Sequence, residues 1–305
     1  MTRAERFAEY RPLLFSIAYR MLGSVMDAED VVQDAFLRWQ QAAAAEVESP
    51  KAYLSTIVTR LCLDHLRSAR VQREQYVGPW LPEPLVVEQE PDVADTAALH
   101  ESLSMAFLVL LESLTPLERA VFLLHDVFGY DFAEVARVVG KSEANCRQLA
   151  RRARSYVEAR RPRFEPSRAE QDRLTAQFLR ACNTGDLPGL VATLADDITL
   201  WTDGGGKVQA ARNPIHGADA VARFILGALR KAPPGLDFRP APVNGQPGVV
   251  SYVDGRPFGV VLFDIARGRI QGLRFVVNPD KLQHLAAPED EPPAAAPQPP
   301  ETAPA

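Results

Sequence analysis

The sequence predicts a multidomain protein in which two all-α modules precede an α+β domain with a curved antiparallel sheet. Apolar residues recur at helical spacing through 5–73 and again through 98–161. Prolines interrupt that pattern across 76–97, where they remove backbone donors and disfavour helix. Four strand-like stretches, separated by Gly-containing turns, then follow between 236 and 277. The change from helical to alternating patterning predicts the change of fold class.

The composition argues against a membrane protein, a secreted protein and a disulfide- or zinc-stabilised fold. The chain has 305 residues, of which 47% are apolar, and a net charge of −5. No apolar run reaches the ~18–20 residues that a membrane span requires, and the charged start MTRAERFAEY lacks a signal-peptide core. Cys62, Cys146 and Cys182 form no CxxC pair, which argues against a disulfide framework or a structural zinc site. We therefore expect a cytoplasmic protein, without membrane contact and without a metal or other cofactor.

Charge is distributed unevenly along the chain. Five basic residues and a single acid lie between 51 and 73, whereas the 45 residues from Glu74 to Glu118 contain no Lys or Arg. Arginines become frequent again at 147–163. Two basic helical segments predict local contacts with a polyanion. The alternative is an ordinary solvated helix surface.

The first helical module contains two informative segments. In 27–39 an apolar stripe at helical spacing runs beside acidic residues in the first turns. In 51–66 apolar residues repeat at three- and four-residue steps behind Ser49, a good N-cap, and Pro50 at the first helical position. The linker that follows carries the large apolar residues of WLPEP at 80–84, which a simple spacer would lack. We expect this linker to dock on a surface and not to act as a simple spacer.

The second helical module contains a segment, 130–154, with the form of a helix-turn-helix. Gly140 permits the turn, and Ala144, Leu149 and Ala153 are expected to face inward from the second helix. Early outward positions of such a helix reach base edges, and later arginines meet phosphates. The outward residues are Ser142, Glu143, Asn145, Arg147, Gln148, Arg151 and Arg152. The alternative is a plain helical hairpin.

Several motifs together resemble one protein family. The stretches 27–39, 61–70 and 114–136 resemble regions 2 and 4 of bacterial extracytoplasmic-function (ECF) sigma factors. WLPEP (80–84), DGGGK (203–207) and NPDKL (278–282) resemble the subgroup with a fused C-terminal SnoaL-like domain. The resemblance implies region 2 at 5–73, an acidic linker at 74–97, region 4 at 98–163 and a SnoaL-like domain at 168–285. The Pro/Ala-rich composition of 286–305 predicts a disordered tail.

The resemblance also implies partners and residue roles. The expected partners are promoter DNA and core RNA polymerase, through the clamp helices of its largest subunit and the flap of its second-largest subunit. The residues implied in polymerase binding are Asp30, Gln33, Asp34 and Trp39. The residues implied at the −10 element, where melted DNA needs stacking groups and cations, are Tyr53, Arg60, His65, Arg67 and Arg70. The helix-turn-helix residues named above are implied at the −35 element. Tyr53 as an ordinary core aromatic is the alternative to a stacking role.

The fused domain is expected to modulate the sigma factor in cis. It would replace a separate anti-sigma protein and hold regions 2 and 4 in an arrangement that restrains promoter binding. Covalent fusion gives such contacts a high effective concentration. The residues expected at the contact between the sigma core and the extension are Trp80, Leu81, Pro82, Glu83, Pro84, Asp203, Gly204, Gly205, Gly206, Lys207, Asn278, Pro279, Asp280, Lys281 and Leu282.

Two other functions stay open at this stage. Cone-shaped domains of this type often bind or isomerise small ring compounds, so a small-molecule ligand and a cyclase or isomerase activity are alternatives. Candidate acid/base groups are Asp203, His216, Asp254 and Asp264, but no nucleophile–base pair is evident and no catalytic residue is predicted. A one-component transcription regulator would use the helix-turn-helix without needing the 27–39 segment.

Overall fold

The computed structural model describes residues 2–41, 49–86, 102–160 and 166–285, with side chains throughout except at 69–74. The predicted linker beyond residue 86 and the predicted tail at 286–305 lie outside the described residues.

Three helices form the first module. They are α1 (Arg3–Leu22), α2 (Val25–Gln41) and α3 (Pro50–Glu74). A capping box at Thr2 begins α1, and Gly23 ends it in the left-handed conformation at a φ of +68°. The predicted apolar stripe of α2 is buried against the other two helices. The helical prediction for this module is therefore confirmed.

Four helices and one wider turn form the second module. They are α4 (Met105–Glu112), α5 (Pro116–Phe122), a π-helical turn that continues it (Leu123–Val127), α6 (Phe132–Val139) and α7 (Glu143–Glu158). Capping boxes at Thr115 and Asp131 start α5 and α6, and Ser142 caps α7. Gly140 has a φ of +66°, which makes the predicted turn between α6 and α7.

The two helical modules share one core. Buried apolar side chains from Phe7 in α1 to Val157 in α7 belong to a single cluster. Arg119 of α5 is buried, donates to the carbonyl of Met21 at 2.6 Å and pairs with Glu112 at 2.6 Å. Burial lowers the pKa of Arg119 to about 10. The modules that the sequence separates are thus packed together as one helical body.

The C-terminal domain combines three helices with a six-stranded sheet. Its elements are α8 (Arg168–Thr184), α9 (Leu187–Thr193), β1 (Leu194–Asp203), β2 (Ile215–His216), α10 (Ala218–Leu229), β3 (Asp237–Val243), β4 (Gln246–Val253), β5 (Arg256–Ala266), β6 (Arg269–Val276) and a terminal 3₁₀ turn (Pro279–Leu282). The sequence prediction missed α9, which Asp186 caps by accepting from the N–H of Gly189 at 3.0 Å.

The strand order is β2-β1-β6-β5-β4-β3. Four ladders are antiparallel as predicted, but β1 and β6 pair in parallel, so the sheet is mixed and the expectation of an entirely antiparallel sheet is wrong at this ladder. After β1 the chain passes through β2 and α10 and re-enters the sheet at the opposite edge. A crossover of this length permits parallel pairing.

The sheet is buried on both faces. One face packs on α8, α9 and α10. The other face contributes Val250, Val260 and Leu262 to a smaller cluster that contains Leu81 of the linker and Met105 of α4. This second cluster joins the C-terminal domain to both the linker and the helical body. No helix in the described ranges is long and apolar enough to cross a lipid bilayer.

Candidate functional sites

Helix α7 presents all the residues predicted to contact the −35 element. The described side chains of Ser142, Glu143, Asn145, Arg147, Gln148, Arg151 and Arg152 are all exposed. Cys146, Ala150 and Ala153 are buried beneath them. Ala144 was expected to face inward but is exposed, because Cys146 occupies the inward position of that first turn. The cationic face of α7 is therefore available to solvent.

The predicted −10 residues on α3 have partners within the chain. Tyr53 is half-buried, with its ring 6.0 Å from that of Trp39. His65 Nε2 lies 3.3 Å from Oδ2 of Asp27 in α2. On the surface, Arg67 Nη1 lies 3.0 Å from Asp64 Oδ1. The side chain of Arg70 lies outside the described residues. Tyr53 therefore packs against Trp39 and keeps part of its ring accessible, which is compatible with both of its predicted roles.

The helix-turn-helix is bonded directly to α3. Arg60 donates from Nε to the carbonyl of Val138 and from Nη2 to that of Arg137, both at 3.1 Å. These carbonyls end α6, where the helix dipole favours a cation. The hydroxyls of Ser55 and Tyr130 lie 2.6 Å apart, and burial raises the pKa of Tyr130. One predicted −10 residue, Arg60, is thus bonded to the helix-turn-helix.

Helix α2 has an exposed face, but Trp39 does not lie on it. Asp30, Gln33 and Asp34 are exposed as expected. Trp39 is 3% exposed and donates its indole N–H to the carbonyl of Arg3 at 3.0 Å, so its assignment as a polymerase contact is wrong for this arrangement. It lies one helical turn after Ala35 on the apolar stripe, which turns it into the core. The apolar residues on the exposed face are Met26 and Leu37, which the sequence reading missed.

The three motifs WLPEP, DGGGK and NPDKL meet at one buried carboxylate, which we call the junction. Asp203, at the end of β1, is fully buried. Its Oδ2 accepts from Lys281 Nζ at 2.7 Å and from the N–H of Leu81 at 2.8 Å. Its Oδ1 accepts from the hydroxyl of Tyr76 at 2.5 Å and from the N–H of Gly205 at 3.1 Å. The predicted interdomain residues are therefore brought together.

Lys281 connects the linker to the C-terminal domain. Besides its ion pair with Asp203, its ammonium donates to the carbonyl of Leu81. The ammonium lies 4.2 Å from the ring centre of Trp80 and 4.9 Å from that of Tyr76, within cation–π range. Burial and Asp203 raise the pKa of Tyr76. A second lysine pair, Lys207 with Asp280 at 2.5 Å, is about half exposed at the edge of the junction.

The glycines of DGGGK permit a close approach to NPDKL. Gly205 has a φ of +58°, and a Cβ there would lie 2.3 Å from the amide nitrogen of Asn278. Asn278 caps the terminal 3₁₀ turn by accepting from the N–H of Asp280 at 3.1 Å, and it also donates to the hydroxyl of Tyr76 at 2.9 Å. Asn278 therefore begins the 3₁₀ turn that follows the sheet and also contacts Tyr76 of the linker.

The second half of WLPEP contacts region 2. Glu83 is buried and accepts from the backbone at the start of α2, with Val25 N at 2.7 Å and Met26 N at 3.1 Å. Pro82 packs near Gly23, and the carbonyl of Pro84 lies 2.7 Å from His284 Nε2. The predicted docking of the linker is confirmed over its described part.

The turn between β3 and β4 supplies a contact that the sequence reading missed. Asn244 has a φ of +53° and is fully buried. Its Nδ2 donates to the hydroxyl of Tyr19 in α1 at 2.7 Å and to the carbonyl of Leu103, just before α4, at 3.1 Å. Its Oδ1 accepts from Leu85 N of the linker at 3.1 Å. An Asn-Gly pair signals a hairpin turn, and nothing in the local pattern signals burial of that turn.

The four candidate acid/base groups lie in different places. Asp203 is in the junction, and His216 is exposed on β2, 3.0 Å from the hydroxyl of Thr199. Asp254 is exposed in the β4–β5 turn, and Asp264 pairs with Arg274 on the sheet. Inside the cone, apolar side chains pack against each other, including Phe178 and Phe263 with ring centres 5.2 Å apart. The small-molecule ligand stays a prediction.

Comparison with known proteins identifies the family. The chain matches Sigma-70 region 2 over residues 6–71, Sigma-70 region 4 over residues 104–157 and the SnoaL-like domain over residues 175–272. The ECF RNA polymerase sigma factor SigJ of Mycobacterium tuberculosis (strain ATCC 25618 / H37Rv) is 41% identical over 291 residues, which cover 90% of this chain and 92% of SigJ. The chain belongs to the ECF RNA polymerase sigma factors.

Further relatives agree with this assignment. The probable ECF sigma factor SigI of Mycobacterium tuberculosis (strain CDC 1551 / Oshkosh) is 34% identical over 281 residues, covering 91% of this chain and 94% of SigI. The crystal structure of SigJ superposes with a TM-score of 0.72 at 39% identity, covering 91% of this chain and 97% of that one. The predicted family and multidomain fold class are confirmed. This sigma factor is a transcription regulator that binds core RNA polymerase and promoter DNA.

Proposed function

We propose that this ECF sigma factor is held in a closed state by its own C-terminal domain, which takes the place of a separate anti-sigma protein. The single observation that carries the proposal is the buried amide of Asn244. It bonds to Tyr19 of region 2, to Leu103 of region 4 and to Leu85 of the linker at the same time. One side chain of the fused domain thereby connects both promoter-binding regions.

The spacing of promoter elements supports the need for opening. Elements centred near −35 and −10 are about 25 base pairs apart, roughly 85 Å along the duplex. The longest helix in the described ranges, α3, has 25 residues and therefore spans only about 37 Å. In the structure Arg60 Nε of α3 lies 3.1 Å from the carbonyl oxygen of Val138 in α6. Only residues 140–142 separate α6 from α7. Regions 2 and 4 must separate before both can contact their elements.

In the open state we assign the predicted contacts as follows. The exposed face of α7 binds the −35 element, and the outer face of α3 with Arg60 and Arg67 binds the −10 element. The acidic face of α2 with Asp30, Gln33 and Asp34 binds the clamp helices of the largest polymerase subunit, and the flap of the second-largest subunit is a second contact. Arg60 has two uses in this scheme, because it binds α6 in the closed state and DNA in the open one.

The test compares two turns of the same domain, in each of which a residue with positive φ precedes a glycine. Asn244→Gly keeps the positive φ without strain and removes the bridging amide. Asp254→Gly makes the matched change in the β4–β5 turn, where Asp254 has a φ of +49° and is exposed. We expect Asn244→Gly to raise run-off transcription from a cognate promoter with purified core polymerase, and Asp254→Gly to match the parent protein.

A truncation series tests the same point at larger scale. The full-length chain, a form cut before Asn278 and a form ending near Arg163 are compared in the run-off assay. We expect output per active molecule to rise as the contacts of the C-terminal domain are removed. Equal output from the three forms, together with no effect of Asn244→Gly, would contradict regulation in cis.

A further inference from the structure

We propose that Glu83 of the linker positions the polymerase-docking helix α2, so that the closed chain keeps an intact polymerase surface while Arg60 of its −10 surface is bonded to α6. This inference rests on the proposed function in one respect, the assignment of α2 as the docking helix. It adds a specific residue and an order of events: core polymerase binds the closed chain, and opening follows.

The contacts of Glu83 form an N-cap supplied from outside the helix. Its Oε1 accepts from the hydroxyl of Ser24 at 2.9 Å. Its Oε2 accepts from Val25 N at 2.7 Å and from Met26 N at 3.1 Å. The first four N–H groups of a helix have no partner within it. Here Ser24 binds the N–H of Asp27 at 3.1 Å, and the linker glutamate binds two of the others.

Glu83 is fixed in this position by its own backbone. Its N–H donates to the carbonyl of Gly23 at 2.8 Å, and its carbonyl accepts from the hydroxyl of Tyr19 at 2.7 Å. Gly23 has a φ of +68°, and a Cβ there would lie 2.9 Å from the Trp80 ring. The linker therefore fits the corner between α1 and α2, and a carboxylate is held against the positive end of the α2 dipole. Such an anion stabilises the first helical turn.

The capped turn is also where the exposed face of α2 begins. Met26, whose N–H is bound by Glu83, is 46% exposed. Asp30, Gln33 and Leu37 follow it on the same face at helical spacing, and all are exposed. Fraying of the first turn would displace Met26 from this face. The order of the docking surface thus depends on a residue of the linker.

The C-terminal domain holds the linker that supplies this cap. Two residues before Glu83, Leu81 donates its N–H to Asp203 and accepts a hydrogen bond from Lys281. The junction, the linker and the start of α2 are therefore connected by contiguous contacts. Release of the linker would remove the cap from α2. Polymerase should consequently bind the closed chain at least as tightly as a chain whose linker is released.

The experiment is a double-mutant cycle on the full-length protein, with affinity for purified core polymerase as the measurement. We expect Glu83→Ala to weaken binding about fivefold, the effect of losing an N-cap. Ser24→Asp alone should also weaken binding, because its carboxylate would face that of Glu83. The double variant should return to within about twofold of the parent, since an aspartate at the Ncap position caps α2 from within. Asp172→Ala, an exposed change on α8, serves as the matched control.

Three results would overturn the inference. A double variant as weak as Glu83→Ala would show that the cap is not what polymerase binding requires. Full affinity in Glu83→Ala alone, with Leu37→Asp impaired, would contradict the positioning role and leave the docking assignment intact. Full affinity in both would contradict the docking assignment itself. Amide exchange at Val25 and Met26 in each variant shows directly whether the first turn is capped, and it requires only that the protein folds.

Failure of the inference is distinguishable from failure of cis regulation. Asn244→Gly should change run-off output at saturating polymerase and leave polymerase affinity unchanged. Glu83→Ala should lower the affinity for polymerase, so its run-off output should match that of the parent once polymerase is saturating. The two variants therefore report on different steps.

Discussion

Helices α2 and α3 belong to the same bundle, yet their outer faces differ in the closed chain. The acidic face of α2, with Asp30, Gln33 and Asp34, is exposed. On α3, by contrast, Arg60 binds the last carbonyls of α6 and Ser55 meets Tyr130. Contacts within the chain therefore involve α3, proposed for the −10 element, and leave the side of α2 proposed for polymerase free of such contacts.

The chemistry of the two faces explains this difference. The end of α6 carries a partial negative charge on its carbonyls, so it attracts the guanidinium of Arg60. The start of α2 carries the opposite partial charge, and the carboxylate of Glu83 binds there instead. Glu83 occupies the end of α2 and not its side, so the acidic face stays free of the linker contact. We therefore expect substitutions on α2 to change polymerase binding and substitutions at the α3–α6 contact to change promoter binding.

The largest expected effect concerns the junction. Lys281→Met leaves the fully buried Asp203 without its cation, and breaking a buried pair destabilises a protein by about 3–5 kcal/mol. Lys207→Met breaks the half-exposed pair with Asp280 nearby, for which we expect less than about 1 kcal/mol. Urea unfolding of the two variants measures the free energies. Promoter binding per polymerase-bound molecule should rise in Lys281→Met, because the linker and the C-terminal domain separate.

Equal destabilisation by the two lysine changes would contradict the junction as the main interdomain contact. Asp203→Asn combined with Lys281→Met provides a further check. Removing both charges avoids an uncompensated buried carboxylate, so the double variant should be more stable than Lys281→Met alone.

The next effect concerns the exposed face of α2. Leu37 is 49% exposed, and Leu37→Asp should weaken core polymerase binding at least about tenfold if it lies in the centre of the interface. Phe258→Asp makes the same kind of change at a residue that is 41% exposed on β5 and should bind normally. Titration of labelled protein with core polymerase measures both. Promoter opening is not expected to change once polymerase is saturating.

The smallest effect concerns the contact of α3 with Tyr130. Tyr130→Phe removes the hydroxyl that meets Ser55 and leaves every predicted DNA contact in place. We expect the closed arrangement to lose about 1 kcal/mol, the net value of one hydrogen bond. Native-state amide exchange of α3 and α6 should become faster. Tyr156→Phe, the matched change on α7, should leave exchange as in the parent, and equal protection in both variants would contradict the proposed contribution of this contact.

The sequence predicted the elements better than their contacts. Ser49 and Pro50 marked the start of α3, and Gly140 marked the turn between α6 and α7, and the structure confirms both. The three motifs were expected at one interdomain contact, and they do meet at Asp203. Two contacts escaped prediction for the same reason. Trp39 was expected on the polymerase-binding face through the family resemblance, and Asn244 was not singled out; in each case burial depends on elements distant in the chain.

What the sequence alone determined about this sigma factor is local: helical periods, caps, turns with positive φ, and the alternation of basic and acidic segments. These follow from the dihedral and hydrogen-bonding preferences of residues a few positions apart. Only the tertiary structure decided that β1 pairs in parallel with β6, that Arg60 faces region 4, and that Asn244 bonds to three parts of the chain. Such contacts join residues up to 225 positions apart, and their energies arise from burial and complementary partners that no local pattern encodes.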